Sequence, residues 1–255
     1  MEKDQSKVKS NVLLLVLTVI ITGVSMLTSF QPLWANIPLN IIIPIIVLLK
    51  LKTVFFEKLK LSTLLIMRTL IVFAVLGVIS GEFYVNLVLI FLGINILEAT
   101  FTDLKRKKYY NVVTGLVMVA SIFLLKGVWL GKYYVASSNN IYGMIAWIIA
   151  YTIWNWIFVT NEFSPSIAKL HVGILAAPII GSLITGNPGF WLIFRGNSLT
   201  TGGNIQIANK EYLEENLQDT SFTKFVNYTK KDSVQLILMI VNLVLMGVTL
   251  AFTLA

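Results

Sequence analysis

Long apolar runs recur along this chain, near 11–30, 33–50, 61–80, 83–102, 111–130, 141–160, 167–185 and 233–254. Each approaches the roughly 20 residues that an α-helix needs to cross the hydrocarbon of a bilayer. None alternates strictly, as the shorter strands of a membrane barrel would. Backbone groups in lipid must bond internally, and a helix achieves this within one segment. The expected fold is therefore all-α. It is a polytopic integral membrane helix bundle of about eight transmembrane helices, forming a single transmembrane domain over 1–255. Composition agrees: 56% of residues are hydrophobic and 13% charged, about half the charged share of soluble domains.

The connections set an orientation. Lys3, Lys7 and Lys9 precede the first run, and Lys50, Lys52, Lys58 and Lys60 join the second to the third. Lys105, Arg106, Lys107 and Lys108 follow the fourth, and Lys169 opens the seventh. The opposite side's short connections hold only Lys126 and Lys132. Lys and Arg accumulate in cytoplasmic loops, so both termini are expected to be cytoplasmic, as an even number of spans requires. The net charge of +8 lies in these clusters, which reads as membrane topology and not as a nucleic-acid surface; no nucleic-acid partner is expected. The first run exceeds the core of a secretory signal and is read as a retained span in the cell membrane.

The long connection 186–232 is then an extracytoplasmic loop between the last two spans. "NPGFWLIFRG" suits a segment lying at the interface, and "NSLTTGGN" reads as a turn because paired Gly permits positive φ. "NKEYLEENL" and "SFTKFVNY" read as short helices opened by Asn209 and Ser221. "KLKTVFFEKLKL", between the second and third spans, reads as an amphipathic bridge against anionic headgroups.

The functional signal is a set of polar residues inside the spans. With a rise of 1.5 Å per residue, Arg68, Glu98, Asn155 and His171 all fall about 8–12 Å from the cytoplasmic boundary. Asn95 lies one turn from Glu98, and Glu162 closes the stripe that carries Asn155. Charges at such depth are costly and normally face protein or water. Arg68, Asn95, Glu98, Asn155, Glu162 and His171 are thus the candidate binding or proton-coupling residues, expected in one polar layer. Structural roles compete: an Arg68–Glu98 bridge, a Lys169–Glu162 pair, and Asp103 at the surface. Gly173, Ala177 and Gly181 form a face of small residues that lets helices approach closely.

The chain has no Cys and one His. Thiolate sites, disulfides and paired-imidazole zinc motifs are excluded; no metal ligand set and no cofactor is assigned. The leading functional expectation is a transporter or channel-like protein for a small polar solute or ion, with Glu98 or His171 carrying any coupling proton. An alternative is a membrane-embedded enzyme acting on lipid or isoprenoid substrates, with His171 beside Glu98 or Glu162. Another is a non-catalytic accessory or immunity protein that works through its outer loop. The expected partners are the bilayer and a small polar solute or lipid, with oligomeric state left open.

Overall fold

The computed structural model describes residues 2–50 and 55–254, with side chains over 7–49 and 60–254. Its helices are α1 (Glu2–Phe30), α2 (Ile43–Lys50), α3 (Phe55–Val75), α4 (Gly81–Lys105), α5 (Tyr109–Ala120), α6 (Ile141–Glu162), α7 (Pro165–Thr185), α8 (Trp191–Ala208), α9 (Lys210–Asn216), α10 (Thr220–Thr229) and α11 (Asp232–Leu254). The protein is all-α save for a hairpin of β1 (Lys126–Trp129) and β2 (Tyr134–Ser137), paired antiparallel. Among the described residues, five helices are long and apolar enough to cross a membrane: α1 from Lys7, α4, α6, α7 and α11. Their apolar side chains at the periphery, such as Leu15 and Val19 on α1 and Ile237 and Val244 on α11, lie exposed. Hydrocarbon-facing helices require this pattern.

Side-chain contacts fix how the helices run. On α11 and α6, Gln235 reaches Asn161, Asn242 reaches the Ala150 carbonyl and Thr249 reaches the Gly143 carbonyl, so the two are antiparallel. α4 and α5 are antiparallel through Asp103–Asn111 at one end and Gly93–Ile122 at the other. α1 and α7 run parallel, joined by Lys169 to Asn11 and by Gly173 against Thr18. The small-residue face of α7 serves two neighbours. Gly173 admits α1, Ala177 packs with Ile21 of α1, and Gly181 faces Phe194 of α8.

Three expectations are revised here. The segment 186–232 is not one connecting loop but carries α8, α9 and α10. α8 turns back along α7, bringing Gly202 against Ile174 and Gln206 against His171, and it is buried for most of its length. Its sequence, "WLIFRGNSLTTGGNIQIA", is too polar to face lipid; enclosed by α1, α3 and α7, it has no need to. α9 and α10 then lie where α7 begins, since Glu214 bonds Ser164 and Ser166, and Asp219 bonds Lys169.

The added traverse also separates the ends of the chain. Asn11 sits beside Lys169 at the start of α7, whereas Thr253 sits beside Asn139 next to the hairpin. The two therefore occupy opposite ends of the bundle, not the same one. The fifth apolar run also departs from a plain span. Its helix gives way to a 3₁₀ turn at Ser121–Leu124, and 126–137 forms the hairpin, turning at Gly131 with φ of 83°.

The second run is irregular for a chemical reason. Pro44 has no N–H to bond back one turn, and Ile37–Ile42 forms a π-helix, with the Ile43 N–H bonded to the Pro38 carbonyl. Of the amphipathic bridge expected over 50–61, positions 51–54 lie outside the described residues and 55–61 open α3.

A buried arginine pair as the candidate functional site

The irregular turn before α2 directs two amides into the bundle. Asn36 donates to the Arg68 carbonyl (3.0 Å), and Asn40 donates to the side-chain oxygens of Asn36 (3.3 Å) and Asn197 (3.2 Å). Asn197 on α8 donates to Ser29 of α1 at 2.6 Å and accepts from the Arg68 guanidinium. This ladder fastens Arg68 against α8, where Gly196 leaves space for it: a Cβ there would stand 2.9 Å from Arg68 Nη2. Arg68 also bonds the Tyr134 hydroxyl, reaching in from β2.

Arg195, one residue before Gly196, enters the same space. Both guanidinium-bearing residues are 3% exposed. With Asn95, Tyr134 and Tyr151 they line a cavity of about 60 Å³ between α3, α4, α6 and α8. Arg195 donates from Nη2 to Asn155 Oδ1 at 3.2 Å, and its guanidinium stands 5.8 Å from the centre of the Tyr151 ring. Its Nε and Nη1 have no partner among the described residues, and neither does Nε of Arg68.

Among the described residues neither Arg68 nor Arg195 is ion-paired with a carboxylate; Arg106–Glu162 and Lys169–Asp219 are pairs elsewhere. Buried charges in proteins are normally paired or bound to a ligand. Here two positive charges face one space with donor capacity to spare.

A second cavity of about 50 Å³ adjoins the first, with Leu64 and Leu199 lining both. Its polar members are Lys60, His171 and Gln206. His171 Nε2 meets Gln206 Oε1 at 3.0 Å, Phe163 stacks on the imidazole at 4.8 Å, and Nδ1 has no partner among the described residues. Lys60 lies 5.5 Å from the centre of the Phe158 ring, within electrostatic reach of Glu98, Glu162 and Arg195.

The candidate residues thus divide between two levels instead of sharing one layer. Arg68 and Asn95 line the first cavity, and Asn155 holds Arg195 there. His171 lines the second. Glu98 makes no bridge to Arg68 among the described residues and faces the charge of Lys60. Glu162 binds Arg106 at 2.7 Å near the end of α6, so it is not the partner of Lys169. Lys169 instead meets Ser10, Asn11 and Asp219. Asp103 is buried, not superficial, and accepts from Asn111 at 2.6 Å.

Arg195, Asn197, Asn40 and Lys60 are site residues that the sequence reading passed over. One signal was available for α8: eighteen residues with a single charge and five Ser, Thr or Asn positions before Gln206. Two of its hydroxyls bond their own helix, Ser198 to the Arg195 carbonyl and Thr200 to that of Gly196, so such polarity is compatible with a buried helix. Among the described residues no group of three acidic, His or Cys side chains is placed to hold a metal.

Comparison with protein-family models, curated proteins and solved structures finds no match to this chain. The site's chemistry therefore carries the functional argument alone.

Proposed function

We propose that this chain is an integral protein of the cell membrane that binds an anionic solute between α3, α4, α6 and α8 and carries it across the bilayer. The observation that carries the reading is Arg195. Its side chain is buried, is not ion-paired among the described residues, and leaves Nε and Nη1 open beside the equally buried Arg68. A guanidinium presents two parallel N–H groups that match the oxygens of a phosphate or carboxylate. An anion there would supply the counter-charge that the described residues do not provide. The cluster Lys105–Lys108, on the end of the bundle shared with Lys169 and α9, supports a cytoplasmic position for that end. On this reading the two ends of the chain, at opposite ends of the bundle, face opposite sides of the bilayer.

The test is anion flux into proteoliposomes containing the purified protein, with phosphate and organic anions compared. Arg195→Gln keeps much of the side chain and removes the charge. Losing a charged hydrogen-bonded partner costs about 2–5 kcal/mol, so flux at low substrate should fall at least about thirtyfold. Unchanged flux in Arg195→Gln would reject the reading, because an ordinary structural arginine predicts altered stability and not altered anion dependence.

A further inference from the structure

We infer that the anion is the head of an amphiphile, a lipid phosphate whose alkyl chain lies in the space shared by the two cavities. The inference rests on the anion-site reading above and goes further by naming the chemistry attached to the anion.

The arrangement of donors is one-sided. Arg68, Arg195, Asn95 and the two tyrosines supply the polar part of the first cavity, and the remaining wall is hydrocarbon, including Val88, Phe91, Leu92 and Leu192. A free inorganic phosphate exposes oxygens in every direction, and those turned toward leucine would lose water and gain nothing. A phosphate monoester has one direction in which it carries carbon instead of oxygen. Leu64 and Leu199 continue the apolar wall into the second cavity, where Leu61, Phe163 and Ile207 extend it. From Arg68 to Lys60 this path spans eight residues of α3, about 12 Å.

The opposite end is closed to such a chain. Tyr134 of the hairpin lines that end of the first cavity at 1% exposure and packs edge to face on Tyr84. A head seated on the arginines therefore directs its chain along α8 toward Gly203, away from the hairpin. Two guanidinium groups also favour a doubly charged head over a singly charged one.

Binding to the purified full chain, followed by tryptophan fluorescence, tests this with three monomer-soluble probes: inorganic phosphate, dihexanoyl phosphatidate and dihexanoyl phosphatidylcholine. Phosphatidate should bind at least about tenfold more tightly than phosphate, since burying even two methylenes is worth that much. Leu199→Trp, which fills the space shared by the two cavities, should abolish the difference between phosphatidate and phosphate. Leu64→Phe is the milder filling if Leu199→Trp does not fold, judged by its melting curve.

Equal affinity for phosphate and phosphatidate would overturn the amphiphile and leave the anion site standing. Binding of phosphatidylcholine as tight as phosphatidate, or indifference of every probe to Arg195→Gln, would overturn both.

Discussion

Lys169 gives the sharpest test of how charge is accommodated in this bundle. It sits on the fifth position of α7 with its side chain 2% exposed, bonded to Ser10, Asn11 and Asp219 at 2.7–2.9 Å. Asp219 also caps α10, accepting from the Ser221 and Phe222 backbone N–H groups. Asp219→Ala strands the buried ammonium on neutral acceptors and removes the cap. The first effect is worth about 3–5 kcal/mol and the second about 1 kcal/mol, so a loss of about 4–6 kcal/mol is expected. Lys169→Met is milder. It keeps the packing and leaves the carboxylate with its two backbone donors at the edge of the bundle, for a cost of about 1–2 kcal/mol.

Reversible unfolding in mixed micelles, followed by tryptophan fluorescence, would measure both variants and the double mutant. The double mutant should resemble Lys169→Met and be more stable than Asp219→Ala. If Lys169→Met costs as much as Asp219→Ala, the burden lies in packing and the charge argument fails. Acidity offers a second arm. Burial alone would raise the Asp219 carboxyl, but the bonds from Lys169, Phe222 and Ser221 together with the Lys169 charge hold it below its ordinary value of 3.8. A lowered folded value means this stabilisation is complete above about pH 4 and disappears as pH falls through the folded value. The Lys169→Met variant should lose part of that acid sensitivity.

Other expectations are simpler. Gly196→Ala places a methyl 2.9 Å from Arg68 Nη2; with the guanidinium tied to Asn197, anion affinity should drop by about tenfold, read by the fluorescence titration, with little change in melting temperature. Glu98→Gln, outside both cavity linings, should leave anion flux within about twofold of the parent, and a complete loss would return Glu98 to the mechanism. Single cysteines at Asn11 and Asn139, introduced into a chain with no native Cys, should react with a membrane-impermeant reagent from opposite sides; labelling from the same side would contradict the arrangement of α1 and the hairpin.

The sequence made the lipid-facing helices legible because lipid acts on single residues. A run such as 233–254 must be apolar wherever its neighbours lie, and it became α11. α8 escaped because its neighbours, not lipid, are its solvent. Arg195, Asn197 and Asn204 are acceptable only inside walls built by α1, α3 and α7, and a local reading cannot supply those walls. Missing α8 also put the carboxyl end at the same end of the bundle as the amino end, whereas the two lie at opposite ends. The polar layer was half legible for a related reason. Depth along a helix is additive and placed Arg68 and Asn95 usefully. The direction a side chain takes around its helix depends on packing, which sent Glu98 toward Lys60 and His171 toward Gln206. The hairpin was hidden because "KGVWLGKYYVAS" is as apolar as a span end, and only Gly131 marks its turn.

The enclosure of α8 also bears on how the protein is made. A segment with Arg195, three glycines and a row of amides would not leave a translocon for open lipid by its own partitioning. It has to be held back until α1, α3 and α7 stand ready to receive it, or enter as one hairpin with α7. Biogenesis should therefore pass through a stage in which the outer helices are inserted and the middle is vacant. Chaperoning at that stage, more than the stability of any finished contact, would govern the yield of active protein.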